Sequence, residues 1–347
     1  MISSLAILAC LTRDTGIVQA DLHGKFSVLA YEGENAAKLE FPLPRDYRGQ
    51  VPIGFQLQVK PANVVASKRI VVGKTGDTIV QLKFIPLKPK QQFEIEWKGQ
   101  VMVDVNEHFG RTDTPISFPA TFPEETQDWM KASAFIQSDD PRIKKAASNY
   151  KRDDVFKTID AVLAGMVSIT SKARGQITEC SSVTALTKQG SCTSNANLCA
   201  ALLRANGIPA RILAGYPTWA HVPYQTHYIV EAYVPSVGWY PIESTMFAKG
   251  WVCANMPIVS IVSRANEDLG VARIPNAAGV AYLTLNEVTG KIVTIGTLSK
   301  DNCDHEAKLD VKKTFAKETL VSAQSRWKAW LDGSKDNLVD LPPLPPK

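Results

Sequence analysis

Apolar and polar positions alternate, or run apolar, over residues 24–31, 38–43, 51–59, 78–84 and 92–105. A period of two puts one face of a strand in a core and the other in solvent. Between these runs lie Glu32-Gly33-Glu34-Asn35, Arg45-Asp46-Tyr47-Arg48-Gly49 and Gly73-Lys74-Thr75-Gly76-Asp77, polar stretches of turn composition. Short strands with regular turn punctuation predict an antiparallel β-sandwich. No histidine, cysteine or acidic pair stands out in this part of the chain.

The period changes after residues 118–125, a two-proline segment that reads as a linker. Short helices are expected over 129–135 and 141–150. A longer one over 153–169 places Val155, Ile159, Val162 and Leu163 on one face. Another runs from about 191 to 206, where Asn206-Gly207 stops it and Pro209 forbids its continuation. Strand-like text follows at 210–214, 226–234, 239–242, 257–262, 271–285 and 291–295, then a final amphipathic helix over 312–332. The proline-rich end, residues 341–347, reads as a frayed tail in preference to a polyproline ligand.

A length of 347 residues suggests two domains or three, and 45% hydrophobic with 21% charged residues allows a real core. The net charge of +5 is spread thinly, so no nucleic-acid partner is expected. No apolar segment approaches the roughly 18 residues of a membrane span. Residues 2–11 are apolar enough for a short export signal, and Val18-Gln19-Ala20 resembles a cleavage site. Yet no Lys or Arg precedes that run, and a buried first strand fits as well. Export, to a periplasmic location, is slightly preferred over the cytoplasm. The six cysteines include no C-x-x-C pair, which argues against a zinc ribbon or a thioredoxin-type site. Cys180, Cys253 and Cys303 remain able to pair in an oxidising compartment.

The chemistry concentrates at Cys192. It opens the helix after Gly190-Ser191, where the macrodipole and unpaired backbone N–H groups favour a thiolate. The plain alternative is a small buried hydrophobe, which is how Cys199 reads among Leu198, Ala200, Ala201 and Leu202. A thiolate nucleophile needs a base, and the base an orienting group. His227 opens an alternating strand, and the turn at Pro235-Ser236-Val237-Gly238 folds that strand onto the one ending at Glu243. His227 and Glu243 are the outer ends of that hairpin and lie side by side. A carboxylate beside an imidazole fixes its tautomer and stabilises its charged form. Taken singly, each residue is also explained as a solvated strand end.

These residues resemble the transglutaminase-like superfamily. Gly190-Ser191-Cys192 matches its Gly-x-Cys motif, and residues 202–211 (LLRANGIPAR) match its helix end and Gly-Ile-Pro-Ala-Arg turn. Residues 227–233 match the histidine strand and 238–245 the acid strand, with His227 35 positions after Cys192. The resemblance implies an α+β fold: an N-terminal antiparallel β-sandwich followed by a transglutaminase-like (papain-like) catalytic domain. The expected division is a signal segment or first strand at 1–22, the sandwich at 23–117, the catalytic domain at 118–300, and a helix with proline-rich tail at 301–347. Two departures stand out. The family's acid is usually Asp where Glu243 stands, and Ser194 occupies a position that is often acidic.

The resemblance implies a thiol enzyme acting on amide bonds of a protein or peptide through a Cys192 thioester, with His227 as base and Glu243 as orienter. Hydrolysis is preferred. Transamidation by a lysine amine shares the chemistry up to the thioester, and a catalytically inactive scaffold is the reading from a different class. The Cys192 backbone N–H is one expected oxyanion donor, with Gln189 or Trp239 as candidates for another. Arg211 is expected to support its strand rather than bind substrate. Tyr216, Trp219 and Tyr224 suggest an aromatic-lined cleft or a loop packed on itself. No cofactor and no metal are implied.

Overall fold

The computed structural model describes residues 16–29, 38–73, 75–105, 114–175, 181–218, 227–246, 248–249, 256–267, 282–286, 291–292 and 303–345. Two antiparallel sheets pack face to face. One contains β1 (Ile17–Leu29), β3 (Gln50–Lys60) and β6 (Gln92–Asp104); the other contains β2 (Lys38–Leu43), β4 (Val65–Val72) and β5 (Thr78–Phe84). Phe41 stacks on Trp97 and Phe84 lies against Phe93 across the interface, with ring centroids 6.1 and 4.7 Å apart. The expected sandwich is therefore present.

Beyond it, α1 (Pro141–Ser148), α2 (Val155–Lys172) and α3 (Cys192–Ala205) pack together, and α3 lies on a third antiparallel sheet. That sheet has the order β10-β9-β8-β7-β11, with β7 Ala210–Gly215, β8 His227–Val234, β9 Gly238–Glu243, β10 Ala248–Lys249 and β11 Ile258–Ile261. Local chemistry sets the helix starts. Asp140, followed by Pro141, accepts from Arg142 N at 2.8 Å, and Asp154 accepts from Lys157 N at 2.7 Å. Gly207, at φ +80°, supplies the left-handed residue that stops α3.

The domain limits expected at 117 and 300 do not follow the sheets. β12 (Tyr282–Asn286) pairs with β2 and with β13 (Lys291–Ile292), and β14 (Cys303–Phe315) pairs along β1. The helical core and its sheet are thus inserted between two halves of the sandwich. β1 begins at Ile17, ahead of the expected Gly24. The cleavage-like Val18-Gln19-Ala20 lies inside it, fully buried and paired on both sides.

Other expectations need correction. The edge strand β4 was not anticipated, because Ser67-Lys68-Arg69 interrupts its alternation. The helix expected over 129–135 lies earlier, as one α-helical turn at Glu124–Gln127 continued by a 3-10 turn at Asp128–Met130. The last helix, α4 (Thr319–Gly333), starts seven residues later than expected, since 312–315 complete β14. The proline-rich end is docked rather than frayed. Leu341 is buried and exchanges both backbone hydrogen bonds with Phe55 of β3, at 2.9 and 2.8 Å. Ser334 O and Leu338 N bond to Ile70 and Lys68 of β4, and the Trp330 indole donates to Val339 O at 2.9 Å. This segment caps one edge of each sandwich sheet, at β3 and at β4. Residues 1–15, 271–281 and 293–295, where further elements were expected, lie outside the described residues.

The sandwich meets the third sheet through buried polar contacts. Gln50 brackets Ile258 of β11: its Nε2 donates to Ile258 O and its Oε1 accepts from Ile258 N, both at 2.8 Å. Asp77 accepts from Ser260 Oγ at 2.7 Å, Ile261 N at 3.0 Å and Arg45 Nη1 at 2.6 Å. The Tyr47 hydroxyl donates to Glu231 of β8. Trp97 packs against Tyr216, and the buried residues form one continuous core.

Candidate active site

Cys192 is the first residue of α3, half-buried, after an extended Ser191 that makes no side-chain cap. The N–H groups of the first turn have no intrahelical acceptor. The approach to Cys192 is tethered. Gln189 N donates to Gly175 O at 2.9 Å and Arg174 N to Thr187 O at 3.1 Å, tying it to the end of α2. Upstream, the Gln137 amide accepts from Ser181 Oγ and from Val183 N, and Ser182 N donates to Phe135 O.

His227 opens β8, paired with Gly215 of β7, and Glu243 closes β9. Ser236 and Gly238, at φ 65° and 88°, make the turn between the two strands. The structure brings all three expected residues together. Cys192 hydrogen-bonds the His227 ring, whose Nε2 bonds Glu243 Oε2. Nδ1 is therefore the nitrogen left for sulfur. Glu243 is fully buried, and its Oε1 accepts from Thr245 N at 2.7 Å and Met246 N at 3.3 Å. The longer glutamate chain thus spans from the imidazole to two backbone amides. Burial opposes the charge on His227, but the bond to Cys192, with the bond and charge of Glu243, outweighs it and pushes the imidazole up to about 9.

The other expected residues separate cleanly. Gln189 is exposed in the loop leading to Cys192. Trp239 does not reach the site. It stands four residues along β9 from Glu243, about 13 Å at the usual strand rise. Its indole stacks on the Arg211 guanidinium at 4.0 Å and meets Tyr233 edge-on, so it is not an oxyanion donor. Arg211 pairs with the buried Glu231 at 2.7 Å, a strand support. Tyr216 is buried against Trp97, while Trp219 and Tyr224 lie outside the described residues. Asn195 and Asn197 of α3 are both buried. Cys199 is fully buried, and burial first, then the Glu243 charge, pushes its thiol up. It stays a core residue. Cys180 and Cys253 lie outside the described residues, as does the side chain of Cys303.

Sequence reasoning missed Thr245 and Met246, whose contribution is a backbone N–H and leaves no mark on residue type. It also did not anticipate the buried Arg204–Glu267 pair, at 2.6 Å, to which Arg264 adds a second guanidinium. These arginines also hold the carbonyls of Lys131, Ala132 and Ala210 and anchor the far end of α3. Among the described residues, no group of three or more His, Cys, Asp or Glu side chains could hold a metal ion, and no helix is long and apolar enough to cross a membrane.

A thiol at a helix start, meeting an imidazole and a carboxylate on an adjoining antiparallel hairpin, defines the class of transglutaminase-like α+β cores. Residues 142–244 match the model of the transglutaminase-like superfamily. Among solved structures, the chain is similar to a "putative cysteine protease" from Cytophaga hutchinsonii, with a TM-score of 0.57 at 17% identity, over 85% of this chain and 99% of that one. At that identity the likeness is one of fold, and its extent takes in the sandwich as well as the core. The periplasmic domain of TgpA from Pseudomonas aeruginosa, bound to ethylmercury, aligns with a TM-score of 0.34 at 13% identity, over 70% of this chain and 94% of that domain. No curated protein matches the sequence.

Proposed function

We propose that this protein is a thiol enzyme that cleaves amide bonds in peptides or proteins, with Cys192 as nucleophile, His227 as acid and base, and Glu243 as the group that orients His227. The observation that carries this reading is the continuous contact from Cys192 through His227 to Glu243, with the carboxylate anchored on two backbone amides. Packing alone calls for none of these three residue types at the end of a helix and a hairpin.

The chemistry follows from the geometry. The imidazolium beside the sulfur keeps it as a thiolate. The thiolate attacks the amide carbonyl carbon, and the Cys192 backbone N–H faces the developing oxyanion, with the exposed Gln189 amide as a candidate second donor. His227 gives its proton to the leaving nitrogen, the C–N bond breaks, and a thioester and free amine result. A water then loses a proton to His227 and attacks the thioester. The carboxylic acid leaves, and the thiolate–imidazolium pair is restored.

Hydrolysis is preferred over transfer to a lysine amine because it needs only water as second nucleophile. The test has two stages. Iodoacetamide at pH 6 should modify Cys192 selectively, and His227→Ala should abolish that selectivity. An amide-substrate screen with and without added amine then separates hydrolysis from transfer. A Cys192 no more reactive than free cysteine would discard the catalytic reading and leave the scaffold reading in its place.

A further inference from the structure

One side chain of the sandwich lies on the same cross-strand row as His227. Gln50 is completely buried. Its amide makes the two hydrogen bonds a neighbouring strand would make, to Ile258 N and Ile258 O, and its Nε2 also donates to Arg45 O at 2.7 Å. Arg45 N adds a bond to Ile258 O at 3.2 Å. Ile258 is paired with Gly215, and Gly215 with His227. Two strand spacings of about 4.8 Å therefore separate the clamped residue from the histidine.

The row is also sterically tight. A Cβ at Gly215 would come within 2.6 Å of both Met256 Cγ and Pro257 O, and Tyr216 N donates to Pro257 O at 3.0 Å. With no slack between β7 and the segment entering β11, a lateral shift of one carries the other. Gly215 is the last residue of β7 and His227 the first of β8. The end of the sheet that presents the imidazole is thus held from β11, and β11 is held there by the sandwich.

We infer that Gln50 is a positioning residue for His227, acting through the row Ile258–Gly215–His227. This rests on the reading of His227 as the base for Cys192. Asp77 provides an internal comparison. It clamps the same strand at Ser260 and Ile261, whose partners Ala214 and Leu213 pair with Tyr228 and Ile229, farther inside β8. Both residues serve the interface, but only Gln50 lies in the histidine's row.

The test compares wild type, Gln50→Met, Gln50→Glu and Asp77→Asn as full-length proteins. Gln50→Met keeps the volume and removes all three side-chain bonds; Gln50→Glu keeps an acceptor for Ile258 N. Three quantities are read below each protein's melting temperature: the iodoacetamide rate at Cys192, the His227 titration by NMR of labelled histidine (assigned with His227→Ala), and the melting temperature. Gln50→Met should slow alkylation about tenfold or more, the scale of a sub-ångström misplacement, and lower the His227 midpoint. Gln50→Glu should fall between it and wild type. Asp77→Asn should lose melting temperature while its alkylation rate and midpoint stay near wild type. Gln50 variants that melt lower but react and titrate as wild type, or that fail to fold at any temperature, would reduce Gln50 to an interface residue and overturn the inference. A wild-type Cys192 without His227-dependent reactivity would instead refute the active-site reading itself.

Discussion

Replacing Glu243 by the shorter aspartate should impair this site, although Asp is the residue more often met in the family it resembles. In the structure one carboxylate oxygen bonds His227 Nε2, and the other accepts from Thr245 N at 2.7 Å and Met246 N at 3.3 Å. Removing a methylene draws the carboxylate back by about 1.5 Å, one C–C bond. On an unchanged backbone the Thr245 bond would open to about 4 Å, beyond hydrogen-bonding range. Aspartate can therefore keep the imidazole or the amides, but not both. A hydrogen bond lost from a fully buried charged group costs about 1.5–3 kcal/mol, or roughly 10–100-fold if all of it falls on the reactive state. His227 is pushed up to about 9 partly by Glu243, so a loosened carboxylate lowers its midpoint. The imidazolium that sustains the thiolate is present below that midpoint and lost above it, and Glu243→Asp should lose it at lower pH than wild type. The assay is the iodoacetamide rate at Cys192 from pH 5 to 10, followed by peptide mass mapping, in wild type, Glu243→Asp and Glu243→Gln. A Glu243→Asp protein matching wild type in rate and pH profile would refute the two-sided anchoring argument.

Three further outcomes follow from the same structure. Because the folded His227 midpoint lies above its ordinary value of about 6.5, its contribution to stability is complete below that pH and disappears as pH rises through about 9. Wild type should lose up to about 3 kcal/mol relative to His227→Gln across that window in urea titrations. Arg204→Met leaves Glu267, fully buried, with Arg264 as its remaining guanidinium partner, and should cost about 3–5 kcal/mol of unfolding free energy. Removing residues 334–347 uncovers the backbone of β3 and β4 at Phe55, Lys68 and Ile70, and should raise aggregation in light scattering at temperatures where the full chain stays monodisperse.

The legibility of this protein in its sequence divides along physical lines. Cys192, His227 and Glu243 could be found because catalysis demands particular side chains, and because one short hairpin brings two of them together. The helices of the core were readable from their periodicity, to within a few residues at each end. The residues that hold the site were not readable in the same way. Thr245 and Met246 act through backbone N–H groups, and Gln50 and Asp77 act across more than 180 positions of sequence. β4 escaped because a solvated edge strand needs no strict alternation, and β14 because it reads as polar over most of its length. Trp239 was placed in the wrong role for an instructive reason. Adjacency to a motif in sequence says little along a strand, where four residues carry a side chain about 13 Å away.

The pairing of Ala20 with Leu309 has a consequence for the order in which the molecule is made. On a ribosome, the segment from Pro141 to Ile261 emerges whole before β12, β14 and the final helix exist. The thiol, its histidine and its carboxylate are then all outside the exit tunnel while the first six strands still lack the partners that complete their sheets. Local helices and hairpins form fast, whereas strand pairs of such long separation form slowly. Gln50 and Asp77 sit on strands or turns of that unfinished half, so β11 is braced only to the degree that the early strands have already collapsed. Residues 303–341 supply the pairing that finishes both sheets, so the sandwich is completed only after the thiol, histidine and carboxylate have emerged.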